Sequence, residues 1–409
     1  MRILKRHILA SLLLLIAVSL VAQNQTSSPF SAFAYGDLND NTPNAYRAMG
    51  GVSAGMRNNK VINPAQPASY TSCDSLTFMF DIAASAMWSR YSDASGMRNR
   101  ANGNLEYISL QLPLYKRYIA LSAGVLPYSS VGYDITIADS INSDYHYTKS
   151  YVGEGGISEV YGGLGFNICD WVALGANIYY MFGDIEHLRT LSFSESNLHS
   201  TIQDEIMEVS SLRFRYGLQL FHTFGDHSFT LGGIFENKMK LNSHFYELET
   251  SETDTIQVYE GLFQTPMIYG GGLSYSWANR LTLAFDYQRQ CMSSALYLGL
   301  PGQYSGLQDR NRYAFGFEYR HNPTGRRYVD RVMWRGGMTI ADEYQNTIPN
   351  KAITASIGVG FPLRAAGTVI NTTLEYQHRG SRAIGLEDNS LRLVINASVA
   401  ENWFFKRKL

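Results

Sequence analysis

The sequence predicts an all-β fold, a transmembrane antiparallel up-and-down β-barrel of about 14 strands with an N-terminal hatch inside the lumen. Three observations predict it. Apolar and polar residues alternate with a period of two in run after run. Beyond residue 22, no stretch has the roughly 18 consecutive apolar residues of a membrane helix. The links between the runs alternate between tight and long, as short periplasmic turns and longer external loops do.

The 409 residues open with a basic cluster (Arg2, Lys5, Arg6, His7), an apolar core from Ile8 to Val21, and Ala22. That layout predicts a cleavable signal peptide over 1–22, with Gln23 as the first mature residue and the outer membrane of a Gram-negative cell as destination. Charged residues are 17% of the chain, below the roughly 25% of soluble proteins, and 28 Tyr and 20 Phe are present. A net charge of -1 gives no electrostatic basis for binding nucleic acid. Cys73, Cys169 and Cys291 are odd in number and far apart, so no disulfide framework or metal spacing is visible and no cofactor is expected.

Residues 23–75 do not alternate; they are small, polar and turn-rich, with Gly36, Pro43, Met49-Gly50-Gly51 and Gly55. A barrel of this size has a lumen that can hold them, so 23–75 is expected to be a hatch, with Phe30, Phe33, Met49, Val52 and Met56 as its apolar residues. Asp37-x-Asn39-Asp40-Asn41 lacks the glycine and distal glutamate of a calcium loop and reads as a turn.

The barrel is expected over 76–409. In the first strand, 76–90, Phe78, Phe80, Ile82, Ala84 and Trp88 share one face and Met79, Asp81, Ala83 and Ser85 the other. Further strands are expected at 104–115, 117–139, 157–168, 171–185, 208–222, 228–248, 264–277, 280–290, 311–320, 331–341, 352–363, 367–378 and 390–400. Tight links fall at Asp170, Phe224–His227, Ala278–Asn279 and Arg364–Gly367; long ones span 91–103, 140–156, 186–207, 249–263, 291–310 and 379–389. The polar face would line the lumen with Asp81, Gln111, Asn177, Arg213, Arg215, Gln219, Glu236, Asp286, Gln288, Arg312 and Glu318. Trp277, Trp334 and Trp403 fall towards the periplasmic rim and Trp88 towards the outer one, where aromatic girdles contact membrane lipids. The chain closes on Trp403-Phe404-Phe405, aromatic residues of the kind barrel-assembly machinery reads in a last strand.

Asn63-Pro64-Ala65, after the glycine-rich stretch and before the first strand, resembles the hatch motif of the FadL/TodX family of hydrophobic-compound channels. The resemblance implies a 14-stranded barrel, a hatch built around Gly50, Gly51, Asn63, Pro64 and Ala65, and a kink in the third strand that opens the wall towards lipid. Here that strand runs through Gly124, Pro127, Ser129, Ser130 and Gly132, and Pro127 has no N–H for a ladder bond. Ser28-Pro29-Phe30, Tyr35-Gly36-Asp37-Leu38, Ala48-Met49-Gly50-Gly51 and Leu126-Pro127-Tyr128 resemble more narrowly a Bacteroidetes branch, which includes the plug subunit of the type IX secretion translocon.

The function expected is therefore passive transport of hydrophobic small molecules across the outer membrane, with a non-conducting plug of a large translocon barrel as the alternative. Lumen charges of both signs lean towards a sealed barrel, because they would pair with each other or with the hatch. A barrel enzyme is the third reading. No His-Glu-x-x-His or Gly-x-Ser-x-Gly motif occurs, and Asp226–His227 falls in a turn, so no catalytic residue is assigned.

Overall fold

The structure is a computed structural model and describes residues 28–93, 96–142, 145–193, 199–250, 255–346, 351–363, 367–381 and 385–402. The expected signal peptide, Trp403 and the aromatic C-terminus lie outside the described residues.

Fourteen antiparallel strands form a closed barrel. They are β1 (Thr77–Asp93), β2 (Gly96–Tyr115), β3 in two halves (Ile119–Pro127 and Ser129–Asn142), β4 (Tyr145–Cys169), β5 (Val172–Phe193) and β6 (Thr201–Phe224). Then come β7 (His227–Glu236 and Ser243–Thr250), β8 (Thr255–Glu260 and Met267–Trp277), β9 (Leu281–Cys291) and β10 (Arg310–Arg320). The last four are β11 (Met333–Asp342), β12 (Lys351–Pro362), β13 (Val369–Ser381) and β14 (Leu386–Asn402). β14 returns to β1 and pairs with it from Thr77↔Asn402 to Asp93↔Leu386. Closure is obligatory in lipid, where an unpaired backbone group costs several kcal/mol.

The alternation places the side chains as expected. On β1, Met79, Asp81, Ala83 and Ser85 are buried inside and Trp88 is exposed outside. On β6, Arg213, Arg215 and Gln219 point inwards while Leu212, Tyr216, Leu218 and Leu220 face lipid. Trp277 and Trp334 are likewise exposed on the outer face. Ala278 and Asn279 both have left-handed φ (50° and 53°), as a two-residue type I′ hairpin requires.

The expected long loops are corrected by the structure. Most of 91–103, 140–156, 186–207, 249–263 and 379–389 is strand: β1 and β2 stay paired to Asp93↔Gly96, and β4 and β5 to Tyr147↔Phe193. These extensions carry polar residues on both faces, so period-two patterning could not reveal them, yet backbone pairing continues beyond the apolar band. The β9–β10 link keeps loop form, with short 3-10 turns at Met292–Ser294 and Gly302–Tyr304.

Residues 28–75 lie inside the barrel as short turns: Pro29–Ala32, a two-residue strand Asp37–Leu38, one helical turn Asn44–Arg47, and Pro67–Ser72. Phe30, Tyr46, Met49, Val52, Ile62 and Tyr70 are buried there, whereas Phe33 is 41% exposed.

Candidate functional site in the lumen

The contact between the N-terminal segment and the wall is made largely at glycine. Gly165, Gly175 and Gly217 are cross-strand neighbours on β4, β5 and β6. Gly232 and Gly272 are neighbours on β7 and β8, and Gly316 and Gly337 on β10 and β11. Against this belt lies the backbone of residues 49–68. A β-carbon on Gly165 would sit 2.9 Å from the Pro67 carbonyl oxygen, and one on Gly272 would sit 2.9 Å from the Gly55 nitrogen. Methyl groups on Gly175, Gly217, Gly232, Gly316 and Gly337 would overlap Pro67, Gln66, Ala54 and Met49 outright.

Polar wall residues then hold the segment by its backbone. The Pro64 carbonyl accepts from Asn177 Nδ2 (2.9 Å) and Tyr179 Oη (3.0 Å), and the Ala65 carbonyl from Arg215 (3.4 Å). Asn63 donates to the Ser53 carbonyl (2.9 Å), closing the loop between them. The next residue, Gln66, donates to the carbonyls of Ala54 and Gly233, each at 3.1 Å. Asp286 accepts from the backbone N–H groups of Ser53 (2.5 Å) and Ala54 (2.7 Å). Gly50 and Gly51 follow the helical turn with φ of 68° and 74°, a left-handed pair that other residues adopt only under strain. Arg312 donates to the Gly51 carbonyl at 2.9 Å.

Ion pairs complete the attachment. Arg47 reaches Glu106 at 2.5 Å and Glu375 at 3.1 Å. Burial alone would pull the Arg47 guanidinium down, but these two carboxylates hold it well above its usual value. Asp40 sits between Arg310 (2.8 Å) and Arg312 (3.2 Å). Burial would raise the Asp40 carboxyl, but the two guanidiniums hold it far below the ordinary range. Arg379 joins Asp37 (2.8 Å) to Glu343 (2.9 Å). Within the wall, Arg213 bridges Glu159 (2.6 Å) and Glu236, Arg215 also pairs with Glu236, and Glu318 pairs with Arg335 (2.8 Å) and Arg320 (3.2 Å). Asp81 accepts from Asn396, which accepts from Asn371 at 2.6 Å, and Asn371 in turn accepts from Arg335 at 2.6 Å.

The wall is interrupted at β3. The β2–β3 ladder ends at Ile108↔Val125, within three residues of Pro127. The second half of β3 pairs with β4 from Val131 onwards and, on its other edge, with the N-terminal segment: Ser130↔Asp37 and Ser129↔Leu38. Tyr128 links both sides, donating its N–H to Ile157 (2.8 Å) and accepting from the Asn39 N–H (2.9 Å). The Gly132 N–H donates to Ser31 Oγ at 3.0 Å. A β-carbon on Gly124 would overlap the Ile108 carbonyl and press on the Tyr161 ring. Opposite the interruption, β2 shifts register at Ala83/Ala84 of β1, and the extra residue, Glu106, turns inwards to Arg47.

Sequence reasoning missed several of these residues. Asp37 and Asp40 read as turn residues but serve as counter-ions. Arg47, Glu106, Glu159, Glu343, Glu375 and Arg379 were not singled out, two of them because they fell in or beside expected loops. Gly175 and Gly217 were visible as inward positions of alternating runs; glycine recurring there was the usable signal for a close approach. Among the described residues no group of three or more His, Cys, Asp or Glu could hold a metal.

The BamG family model matches residues 3–409. No curated protein matches the sequence significantly. The fold is similar to the Ralstonia pickettii toluene transporter TbuX (14% identity, TM-score 0.60, covering 88% of this chain and 98% of that one). It is similar to a Pseudomonas aeruginosa FadL homologue (11% identity, TM-score 0.61, 90% and 99%) and to the Pseudomonas putida toluene transporter TodX (12% identity, TM-score 0.58, 90% and 99%). A closed 14-strand wall with a lumen filled by its own N-terminal residues gives this outer-membrane barrel a FadL-like fold, and with one family model matched over nearly its whole length the chain belongs to the BamG family.

Proposed function

We propose that this protein is a non-conducting FadL-type barrel that serves as a structural subunit of the outer-membrane barrel-assembly machinery. The observation that carries the sealed state is the fit of residues 49–68 against the glycine belt, reinforced by the ion pairs of Asp37, Asp40 and Arg47 with the wall. The family name BamG supports the partner. In this reading residues 1–22 are an export signal, 23–75 a hatch built around Gly50, Gly51 and Asn63-Pro64-Ala65, and 76–409 the barrel. The role has no catalytic step. Tagged protein extracted from its native outer membrane in mild detergent is expected to carry a barrel-assembly subunit, read by mass spectrometry, and to give no ion conductance in planar bilayers. Recovery as a lone monomer refutes the assembly role, and steady conductance refutes the seal.

The β3 interruption favours a second reading, passive passage of a hydrophobic small molecule; TbuX and TodX are toluene transporters. Uptake of a labelled hydrocarbon that is lost with the protein would support it. Occlusion of a type IX translocon shares the sealed lumen, and co-purification with a giant translocon barrel would distinguish it.

A further inference from the structure

A cavity of about 200 Å3 lies between residues 37–42 of the N-terminal segment and the wall. It is polar, whereas a hydrocarbon site would be apolar. Seven carboxylates and five arginines line it, an excess of two negative charges. Most of these pair with one another as described above. Asp388 has no salt bridge among the described residues, although Arg379 and Arg392 lie near enough to attract it. Its neighbour across the β13–β14 ladder, Arg379, is taken by Glu343, Asp37 and the ring of Phe30. The contact found for the Asp388 carboxylate is the hydroxyl of Ser390, at 2.7 Å.

Around this carboxylate the cavity has further unused polar atoms. Tyr91 stands opposite Asp388 on β1, and Ser28 lines the same cavity. Asp388, Tyr91 and Ser28 are 3%, 6% and 2% exposed, and among the described residues neither the Tyr91 nor the Ser28 hydroxyl makes a hydrogen bond of good geometry, although Tyr91 lies beside Ser28 and Ser89. A buried carboxylate without a salt bridge, beside two hydroxyls with spare acceptor capacity, suits a donor that carries positive charge and several N–H groups. A primary ammonium has both properties.

The route into the cavity indicates what carries the ammonium. Leu105 and Tyr107 of β2 and Leu126 and Pro127 of β3 line the same cavity. They flank the place where the β2–β3 ladder ends and lie on the outer half of those strands, beyond Ile108↔Val125. A head group in the cavity could therefore keep its chains in the bilayer. We infer that this cavity holds the primary-amine head group of an amphiphile of the phosphoethanolamine class, with Asp388, Tyr91 and Ser28 receiving the ammonium. The inference is independent of the assembly role.

The test uses full-length protein in nonionic detergent, with lipid retention read by native mass spectrometry. The probes are phosphatidylethanolamine, phosphatidylcholine and phosphatidylglycerol with the same acyl chains, and lipid A bearing phosphoethanolamine. An ethanolamine lipid is expected to be retained at least about tenfold better than choline lipid, whose trimethylated nitrogen has no N–H to donate. Retention of the glycerophospholipid identifies that source, and retention of lipid A alone identifies the glycolipid; either supports the site. Asp388→Asn is expected to bring ethanolamine lipid down to the choline level. Should that variant not fold, Tyr91→Phe, expected to weaken retention several-fold, replaces it. Equal retention of ethanolamine and choline lipids, retention of none, or a preference that survives these substitutions overturns the inference.

Discussion

Arg47 of the N-terminal segment and Glu375 of β13 form a two-point ion pair inside the barrel, with Nε–Oε1 at 3.1 Å and Nη2–Oε2 at 3.2 Å. The same guanidinium reaches Glu106 at the β2 bulge, so one side chain ties the segment to both flanks of the β1–β14 seam. Removing it leaves buried Glu375 without its ion pair and buried Glu106 with only the more distant Arg392, at 3.9 Å. Arg47→Ala is expected to lower the unfolding free energy by about 3–5 kcal/mol in a denaturant titration of the micelle-embedded protein. Replacing Arg47, Glu106 and Glu375 together by Met removes all three charges and is expected to cost less than the single change. A triple variant less stable than Arg47→Ala contradicts this account.

The glycine belt predicts a position-specific intolerance of one methyl group. Gly217→Ala and Gly175→Ala each push a β-carbon into Gln66 or Pro67, and a loss of about 1–3 kcal/mol is expected. Gly162→Ala meets open space and serves as the matched wall control, expected to change stability little. If all three variants unfold at the same denaturant concentration, the belt does not hold the segment.

The edge of β3 beyond Pro127 is covered from inside the barrel, which hydrogen exchange can report. The Gly132 amide donates to Ser31 Oγ, and Ser129 and Ser130 pair with Leu38 and Asp37. Ser31→Ala is expected to speed exchange at Gly132 while leaving the β6–β7 ladder protected. Unchanged exchange at Gly132 would show that Ser31 does not guard this edge.

Acid should loosen the Asp40 attachment late. The folded carboxyl lies well below its unfolded value of about 3.9, so its stabilisation is complete above that pH and is lost as pH falls towards the folded value. The stability difference between the native chain and Asp40→Asn is expected to hold steady from pH 7 to about 5 and to shrink below about 4. A difference that grows on acidification rules out the pairing with Arg310 and Arg312.

How much of this was legible beforehand differs by element. The strand centres were legible because lipid outside and a packed polar lumen inside enforce opposite chemistries at alternate residues, as at Leu212/Arg213 and Tyr216/Arg215. Strand ends were not, since above the apolar band both faces of β4, β5 and β6 can be polar and the period disappears. The lumen charges were legible as a set, but their partners were not. Arg213 meets Glu159 across 54 positions, and Arg379 meets Asp37 across 342.

By itself, the sequence determined a closed antiparallel barrel of about 14 strands, because membrane and ladder impose a local, two-residue rule that any stretch of chain must obey. It also offered Pro127, which has no N–H for a ladder bond, as a break point in the third strand. Only the tertiary structure decided which carboxylate faces which guanidinium, that Asp37–Leu38 would pair with the edge β3 presents, and that inward glycines would serve as a seat for residues 49–68. Those outcomes depend on closure, which brings together residues separated by hundreds of positions, and no local period encodes that distance.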